Sequence, residues 1–265
     1  MIIFSNRLFK SCVVLITCAS LLACKQNAQT APTETDNGAA TPLTDASGVL
    51  VFSKTSGYYH ESIPDGIAAI QKLGKENNFQ VDTTKDASKF TESNLRKYKA
   101  IVFLSTTQDV LNDDQEKAME NYIRSGGGFV GIHAAADTEY NWPWYNKLVG
   151  AYFKSHPNNP NVRNAVINVT DKSHPSTKEL PDKWERSDEW YNYKDINPDL
   201  KVLARLDESS YEGGENGDNH PIIWYHEYDG GRAFYTGGGH TKESFLDPVF
   251  MKHVLGGIEY AMGEE

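Results

Sequence analysis

The sequence predicts a doubly wound α/β domain whose mostly parallel sheet carries antiparallel additions at one edge. Three observations carry this expectation: short continuous apolar runs, amphipathic helical segments between them, and a late glycine turn between two further strand-like runs. Gly48 to Ser53 (GVLVFS), Ala100 to Leu104 (AIVFL) and Phe129 to Ile132 (FVGI) show no polar alternation, the pattern of strands covered on both faces. Between the first two, Ser62 with Pro64 and Asp65 opens a helix whose Ile63, Ile67, Ile70 and Leu73 share one face. Phe79 to Thr83 follows as a short strand. Asn112 and Gln115 form a capping pair for a helix containing Met119, Tyr122 and Ile123, ended by Gly126-Gly127-Gly128. Alternating strands and helices build a parallel sheet. The antiparallel edge is expected from Asp229-Gly230-Gly231, a hairpin signal between Ile222 to Glu227 and Arg232 to Thr236. Val162 to Val169 and Leu200 to Leu206 are further strand candidates, and Asp247-Pro248 opens a closing helix through Tyr260.

The N-terminus has a different organisation. Arg7 and Lys10 precede an apolar run from Cys12 to Leu22, then Leu21-Leu22-Ala23-Cys24, the charged, apolar and small-residue order of a secretory signal. The run is shorter than the roughly 20 residues that span a bilayer. Leu-Leu-Ala-Cys also has the form of a lipobox, so residues 1–23 are expected to be a signal peptide and Cys24 the acylated N-terminus of a lipoprotein. Two or more acyl chains give stable anchoring. Residues 24–46 are polar, with Gln, Asn, Ala, Thr and Pro in place of large apolar groups over most of their length, and are expected to form a flexible tether. Lys25 stands where an aspartate would favour inner-membrane retention, so the expected location is the cell envelope, at the outer membrane. Residues 47–263 then form one domain.

Composition removes several classes of function. All three cysteines, Cys12, Cys18 and Cys24, lie in the leader, so the domain has no thiol for a disulfide, a thiolate site or a nucleophile. Without Arg7 and Lys10, 24 basic residues face 36 acidic ones, a charge near −12 that repels phosphate backbones and anionic lipid. Neither glycine run has a Rossmann or phosphate-loop pattern, so neither nucleic acid nor a nucleotide is an expected partner. The membrane is met through the lipid anchor alone.

Ligands of open α/β sheets bind beyond the carboxyl ends of the strands, and three histidines occupy such places. His60 follows the first strand, His133 ends the strand after the triple glycine, and His240 follows a late strand through Gly237-Gly238-Gly239. Asp188-Glu189 and Asp137 are the candidate carboxylates. A helix starting at His133 would bring Asp137 one turn away, able to orient the imidazole as a general base. The same set, His60, His133, Glu189 and His240, also suits a divalent metal such as zinc, although no His-Glu-x-x-His or other compact ligand spacing is present. Aromatic residues surround these positions. Tyr59, Trp142, Trp144, Trp190 and Tyr191 are expected to present flat faces to sugar C–H groups.

Taken together, five stretches resemble the ThuA-like (trehalose-utilisation) family: Lys54 to Ile63, Gly127 to His133, Phe153-Lys154-Ser155-His156-Pro157, Asp188-Glu189-Trp190-Tyr191, and Gly230 to Thr241. The resemblance implies a fold like that of class I glutamine amidotransferases, with a flavodoxin-like central sheet. It places His133 where those enzymes carry their cysteine, so thioester chemistry is not expected. It also implies a carbohydrate ligand, with His156 among the binding residues, and a link to disaccharide catabolism through keto-sugars. The expected function is acid–base processing of a glycoside or keto-glycoside outside the cytoplasm, as an isomerase, lyase or hydrolase, with His133, Asp137, His60, Glu189 and His240 as catalytic residues. A non-catalytic sugar-binding lipoprotein and a metal-dependent hydrolase are the rival readings.

Overall fold

The structure is a computed structural model that describes residue 43 and residues 46–264. The expected signal peptide, Cys24 and most of the tether lie outside these residues. Among the described residues no helix is long and apolar enough to cross a membrane.

Five strands form the parallel half of a nine-stranded sheet. Strands β1 (Val49–Phe52), β2 (Val81–Thr84), β3 (Ala100–Leu104) and β4 (Gly128–Ile132) are joined by helices α1 (Ile63–Glu76), α2 (Glu92–Leu95) and α3 (Asp113–Arg124). A 3-10 turn at His133–Asp137 leads to α4 (Pro143–Val149) and then β5 (Tyr152–Ser155). The later strands are β6 (Val162–Val169), β7 (Lys183–Glu189), β8 (Asn192–Lys194), β9 (Lys201–Asp207), β10 (Pro221–Tyr228) and β11 (Gly231–Thr236), closed by α5 (Pro248–Met262). The large sheet runs β2-β1-β3-β4-β11-β10-β9-β6-β7, and β5 pairs with β8 separately. Pairings among β2, β1, β3, β4 and β11 are parallel, and those from β11 through β10, β9 and β6 to β7 are antiparallel.

The chemistry of the strands explains this division. Every residue of β1, β3 and β4 is buried, because helices cover both faces of a parallel sheet. The three strands offer side chains such as Phe52, Phe103 and Phe129, whose rings pack in sequence with centres 5.2 and 5.4 Å apart. Helix α3 begins with the expected capping box, Asn112 Oδ1 accepting from Gln115 N at 3.1 Å and Gln115 Oε1 accepting from Asn112 N at 3.0 Å. Strand β7 (KWERSDE) is the outermost strand, charged and only partly covered, so it has neither an apolar run nor a clean alternation to mark it.

Two buried histidines join the segment before β7 to α5. His174 Nδ1 meets Ser176 Oγ at 2.8 Å, and His253 Nδ1 meets the Ser176 carbonyl at 3.0 Å. Burial lowers His174 to about 4 and His253 to about 3. Both are therefore neutral in the fold, whereas in the unfolded chain they take up a proton near the ordinary 6.5. Their contribution is complete above that value and is lost as pH falls toward the folded values. The urea midpoint is expected to drop between pH 7 and pH 5, and His253→Gln should shallow that drop by about one proton. An unchanged slope in the variant would contradict the assignment.

Candidate functional site

The carboxyl ends of β1, β4 and β11 each deliver one histidine to the same place. His60 follows β1 through a loop tied down by its neighbour Ser62, whose Oγ donates to the Gly239 carbonyl at 2.9 Å. His133 is the first residue after β4 and adopts φ +50°, a left-handed conformation that costs energy in a non-glycine residue and clusters at functional positions. Two contacts hold it there: Tyr235 Oη donates to the His133 carbonyl at 2.7 Å, and His133 Nδ1 faces the Gly237 carbonyl at 3.0 Å. His240 follows β11 through three glycines, of which Gly239 has φ +116° and would carry a Cβ 3.0 Å from Ile132 Cγ2. A side chain there would push the His240 loop off the end of β4.

Glu189, the last residue of β7, supplies the carboxylate. Its Oε2 lies 3.3 Å from His133 Nε2 and 3.1 Å from His240 Nδ1. Its Oε1 accepts a 2.6 Å hydrogen bond from Asn161 Nδ2 and is 3.6 Å from His156 Nε2. The three imidazole rings of His60, His133 and His240 have centroids 4.9, 5.2 and 5.3 Å apart. One ligand atom from each of His60, His133, Glu189 and His240 falls within 4.8 Å of all the others.

The directions of these atoms matter as much as the distances. His60 Nδ1, His133 Nε2 and His240 Nδ1 are buried and without a hydrogen bond. Although Glu189 Oε2 is close to two of them, it lies off the in-plane axis that a ring N–H would need. His133 donating from Nδ1 to the Gly237 carbonyl leaves its Nε2 lone pair facing the cluster, the arrangement that carbonyl partners impose on metal-ligating imidazoles. Ligands about 2.0–2.1 Å from a tetrahedral ion sit about 3.3 Å from one another, which matches both Glu189 distances.

The charges of these groups are set by the same contacts. Burial, reinforced by His133 and His240, lowers His60 to about 2, so it stays neutral with a lone pair to offer. Burial would raise Glu189, but the adjoining His133 and His240 imidazoles outweigh it and keep the carboxyl below its ordinary range. Burial would lower His240, and the Glu189 carboxylate reverses the shift to a net increase. A divalent cation would satisfy every group of this cluster at once.

A cleft of about 280 Å³ opens beside the cluster, lined by Tyr58, His60, Asp137, Phe153, His156, Asn161, Glu189 and Tyr191. Larger hollows lie elsewhere among the described residues, against α5, between α1 and α5, and against the loop near His174, and none of these holds a comparable set of converging donors.

The trehalose-utilisation (ThuA) family profile matches residues 48–261. The chain belongs to the ThuA family. A ThuA-like protein from Bacteroides uniformis has a similar structure, 26% identical, with TM-score 0.68 over 85% of this chain and 94% of that one. A second, from Parabacteroides merdae, is 21% identical with TM-score 0.65, over 83% and 91%. A β-galactosidase from Bacillus circulans shares the fold over 31% of its own length, at 14% identity and TM-score 0.55. No curated protein matches the chain. Membership in the ThuA family associates the chain with carbohydrate utilisation, and the mixed sheet agrees with the expected fold class.

In this ThuA domain, the histidines and Glu189 expected to act together do lie together, and His156 and Tyr191 line the cleft. Four other expectations need correction. Asp137 does not orient His133. The segment is a 3-10 turn that starts from a left-handed residue, and Asp137 Oδ1 instead accepts from Tyr140 Oη at 2.5 Å and Gln108 Nε2 at 3.2 Å. Trp142 stacks on Trp144 at 5.0 Å, and their ring nitrogens donate to Glu120 and Asp229, near the amino end of β11. They pack at the opposite end of the sheet from the cleft. Trp190 is fully buried and donates to the Arg163 carbonyl at 2.8 Å. Tyr59 is half exposed and absent from the cleft wall, where its neighbour Tyr58 stands instead. Asn161 and Phe153 complete the cleft; Phe153 opens the family-like stretch that ends at Pro157, whereas Asn161 belongs to no pattern that marks it in the sequence. Trp144→Ala is accordingly expected to lower the thermal midpoint by a few degrees while leaving sugar affinity within about twofold; isothermal titration with a keto-disaccharide checks this.

Proposed function

We propose that His60, His133, Glu189 and His240 hold one divalent transition-metal ion, zinc or an ion of similar preference, and that the loaded centre processes a glycoside or keto-glycoside. The observation that carries the reading is the set of three unbonded, buried ring nitrogens converging with one carboxylate oxygen. Three imidazoles and a carboxylate are a donor set that first-row ions accept. Because His60 and Glu189 both line the cleft, an ion taking a fifth or sixth ligand would receive it from that side. Such an ion polarises a ketone or hydroxyl oxygen as a Lewis acid.

In this reading His133 acts as a ligand, its Nε2 enclosed by the cluster, rather than as a free base. The cleft is lined by Tyr58, Phe153 and Tyr191 with no Lys or Arg among its residues. Apolar ring faces and neutral or acidic polar groups favour an uncharged sugar over a sugar phosphate. A pure capture role loses its expected platform, since Trp142 and Trp144 pack elsewhere. The leader-like order of Arg7, Lys10 and Leu21 to Cys24 supports export and lipid anchoring at the cell envelope.

The test is to follow trehalose and keto-trehalose by NMR with the protein as isolated, stripped by a chelator, and reloaded with zinc, manganese or nickel. A new sugar product that vanishes on stripping and returns on reloading is expected. Full turnover by stripped protein would refute the metal centre.

A further inference from the structure

Within the cleft stands one carboxyl group that the metal reading leaves unused. Asp137 is half buried at the end of the 3-10 turn after β4, and it lines the cleft with His60, Glu189 and Tyr191. Both of its hydrogen bonds fall on the same oxygen: Oδ1 accepts from Tyr140 Oη at 2.5 Å and from Gln108 Nε2 at 3.2 Å. Oδ2 accepts none from the described residues. The carboxyl is thus held in one orientation by two donors while its second oxygen keeps its lone pairs.

The imidazoles and the second carboxylate beside the cleft are already engaged. One ring nitrogen from each of His60, His133 and His240 converges on the cluster. His156 Nδ1 faces the Pro157 carbonyl at 2.8 Å, and its Nε2 faces Glu189 Oε1. Glu189 is shared among His133, His240, His156 and Asn161. Burial and the Asp137 carboxyl both push the Tyr140 phenol up, so Tyr140 remains a donor and does not compete for a proton. Lys194, whose ammonium sits 4.9 Å from the Tyr140 ring centre, is not part of the cleft wall.

We propose that Asp137, through Oδ2, is the catalytic residue that takes and returns the substrate proton, acting on the carbon next to the ketone of a keto-glycoside. The assignment deepens the metal-centre reading and rests on it. Oδ2 bonds to the hydrogen; the C–H electron pair becomes the new C=C bond, and the carbonyl π pair moves onto the ketone oxygen. In isomerisation, the hydroxyl on the deprotonated carbon passes its proton to the former ketone oxygen, its own electron pair forms the new carbonyl there, and the C=C pair takes up the proton that Asp137 returns to the former ketone carbon. In cleavage, the ketone oxygen's pair re-forms the carbonyl, and the C=C pair shifts to a double bond with the β carbon and expels the glycosidic oxygen, which leaves with the C–O electrons and takes the Asp137 proton. Neither branch needs an oxidant or a reductant. Burial also raises the Asp137 carboxyl above its ordinary value, against the opposing pull of Tyr140 and Gln108, which suits a group that must both accept and give a proton.

The test is exchange of the carbon-bound hydrogen of keto-trehalose in heavy water, followed by NMR with metal-loaded protein. The wild type is expected to accelerate exchange over buffer, and Asp137→Asn to lower that rate by about 100-fold or more. The amide introduced by Asp137→Asn keeps an oxygen for Tyr140, so metal content and keto-trehalose affinity should stay within about twofold, and formate should partly restore Asp137→Ala. Exchange in Asp137→Asn within about threefold of wild type, or loss of its metal, would overturn the role of Asp137 while leaving the metal centre in place. No acceleration by the wild type would overturn the keto-glycoside reading, and the assignment with it.

Discussion

Glu189→Gln is expected to lose the bound ion and turnover together, with metal affinity weakened by at least about 100-fold. The amide keeps the size of the side chain but removes the only negative charge that His133 and His240 share. It also places an NH2 where a ligand oxygen is needed, or turns that NH2 toward Asn161, whose own amide already donates there. His133→Ala should have the same outcome for a different reason, since it removes one of three imidazoles. Neither change opens a large void in the strands below, so the thermal midpoint of the metal-free protein should move by only a few degrees. Metal analysis of both variants beside their product formation checks this. A variant that retains stoichiometric metal and full turnover would show that the cluster is not the site.

The second large effect concerns Asp188, which neither contacts the cleft nor offers a ligand atom to the cluster. Its carboxylate accepts from Gly239 N at 2.8 Å, His240 N at 3.0 Å, Ser244 Oγ at 2.8 Å and Glu189 N at 3.0 Å. It also pairs with Arg186 at 3.1 Å, with side chains 0% and 8% exposed. The guanidinium lies over Trp184 and Phe250 at 4.7 and 4.2 Å, and its Nε and Nη1 have no hydrogen-bond partner. Asp188 thus neutralises a buried cation and fastens the loop that carries His240 to the strand that carries Glu189. Asp188→Ala leaves that cation unpaired, a loss of about 3–5 kcal/mol, equivalent to roughly 10 °C in thermal midpoint for a domain of this size. Calorimetry reads the shift. Ser244→Ala, which removes the hydroxyl's hydrogen bonds with Asp188, Arg186 and Thr241 but no charge, should cost less, about 2 kcal/mol. Equal, small effects of the two changes would contradict this account of the pair.

The parallel half of the sheet was legible because its strands are short and uniformly apolar, and because the helix between β3 and β4 carries its own cap at Asn112. The three histidines were legible for the same reason: each follows a recognisable strand. Outside the family-like stretch Asp188 to Tyr191, Glu189 was visible only as half of an acidic pair, since β7 is an edge strand of charged residues that displays no strand pattern. Its approach to His133 depends on how the antiparallel strands fold back over the carboxyl ends of β4 and β11, which local sequence does not encode. The pairing of Asp137 with His133 failed on a backbone detail. Four residues of spacing bring side chains together on an α-helix, but His133 sits in a left-handed conformation and the turn is 3-10. The tryptophans failed on burial: Trp142 and Trp190 are large rings that the core absorbs, and chemistry alone does not distinguish a ring that packs from one that binds. Phe153 lies in a family-like stretch from which only His156 was singled out, and Asn161 enters the cleft from a segment with no distinguishing pattern.

The most direct measurement is X-ray diffraction from protein loaded with zinc, with data collected on both sides of the zinc absorption edge. The account predicts one anomalous peak per chain, within bonding distance of nitrogen atoms from His60, His133 and His240 and an oxygen of Glu189, with a further ligand position toward Tyr58 and Asp137. A zinc peak elsewhere, or no peak between these four side chains in protein that still turns over substrate, would contradict it.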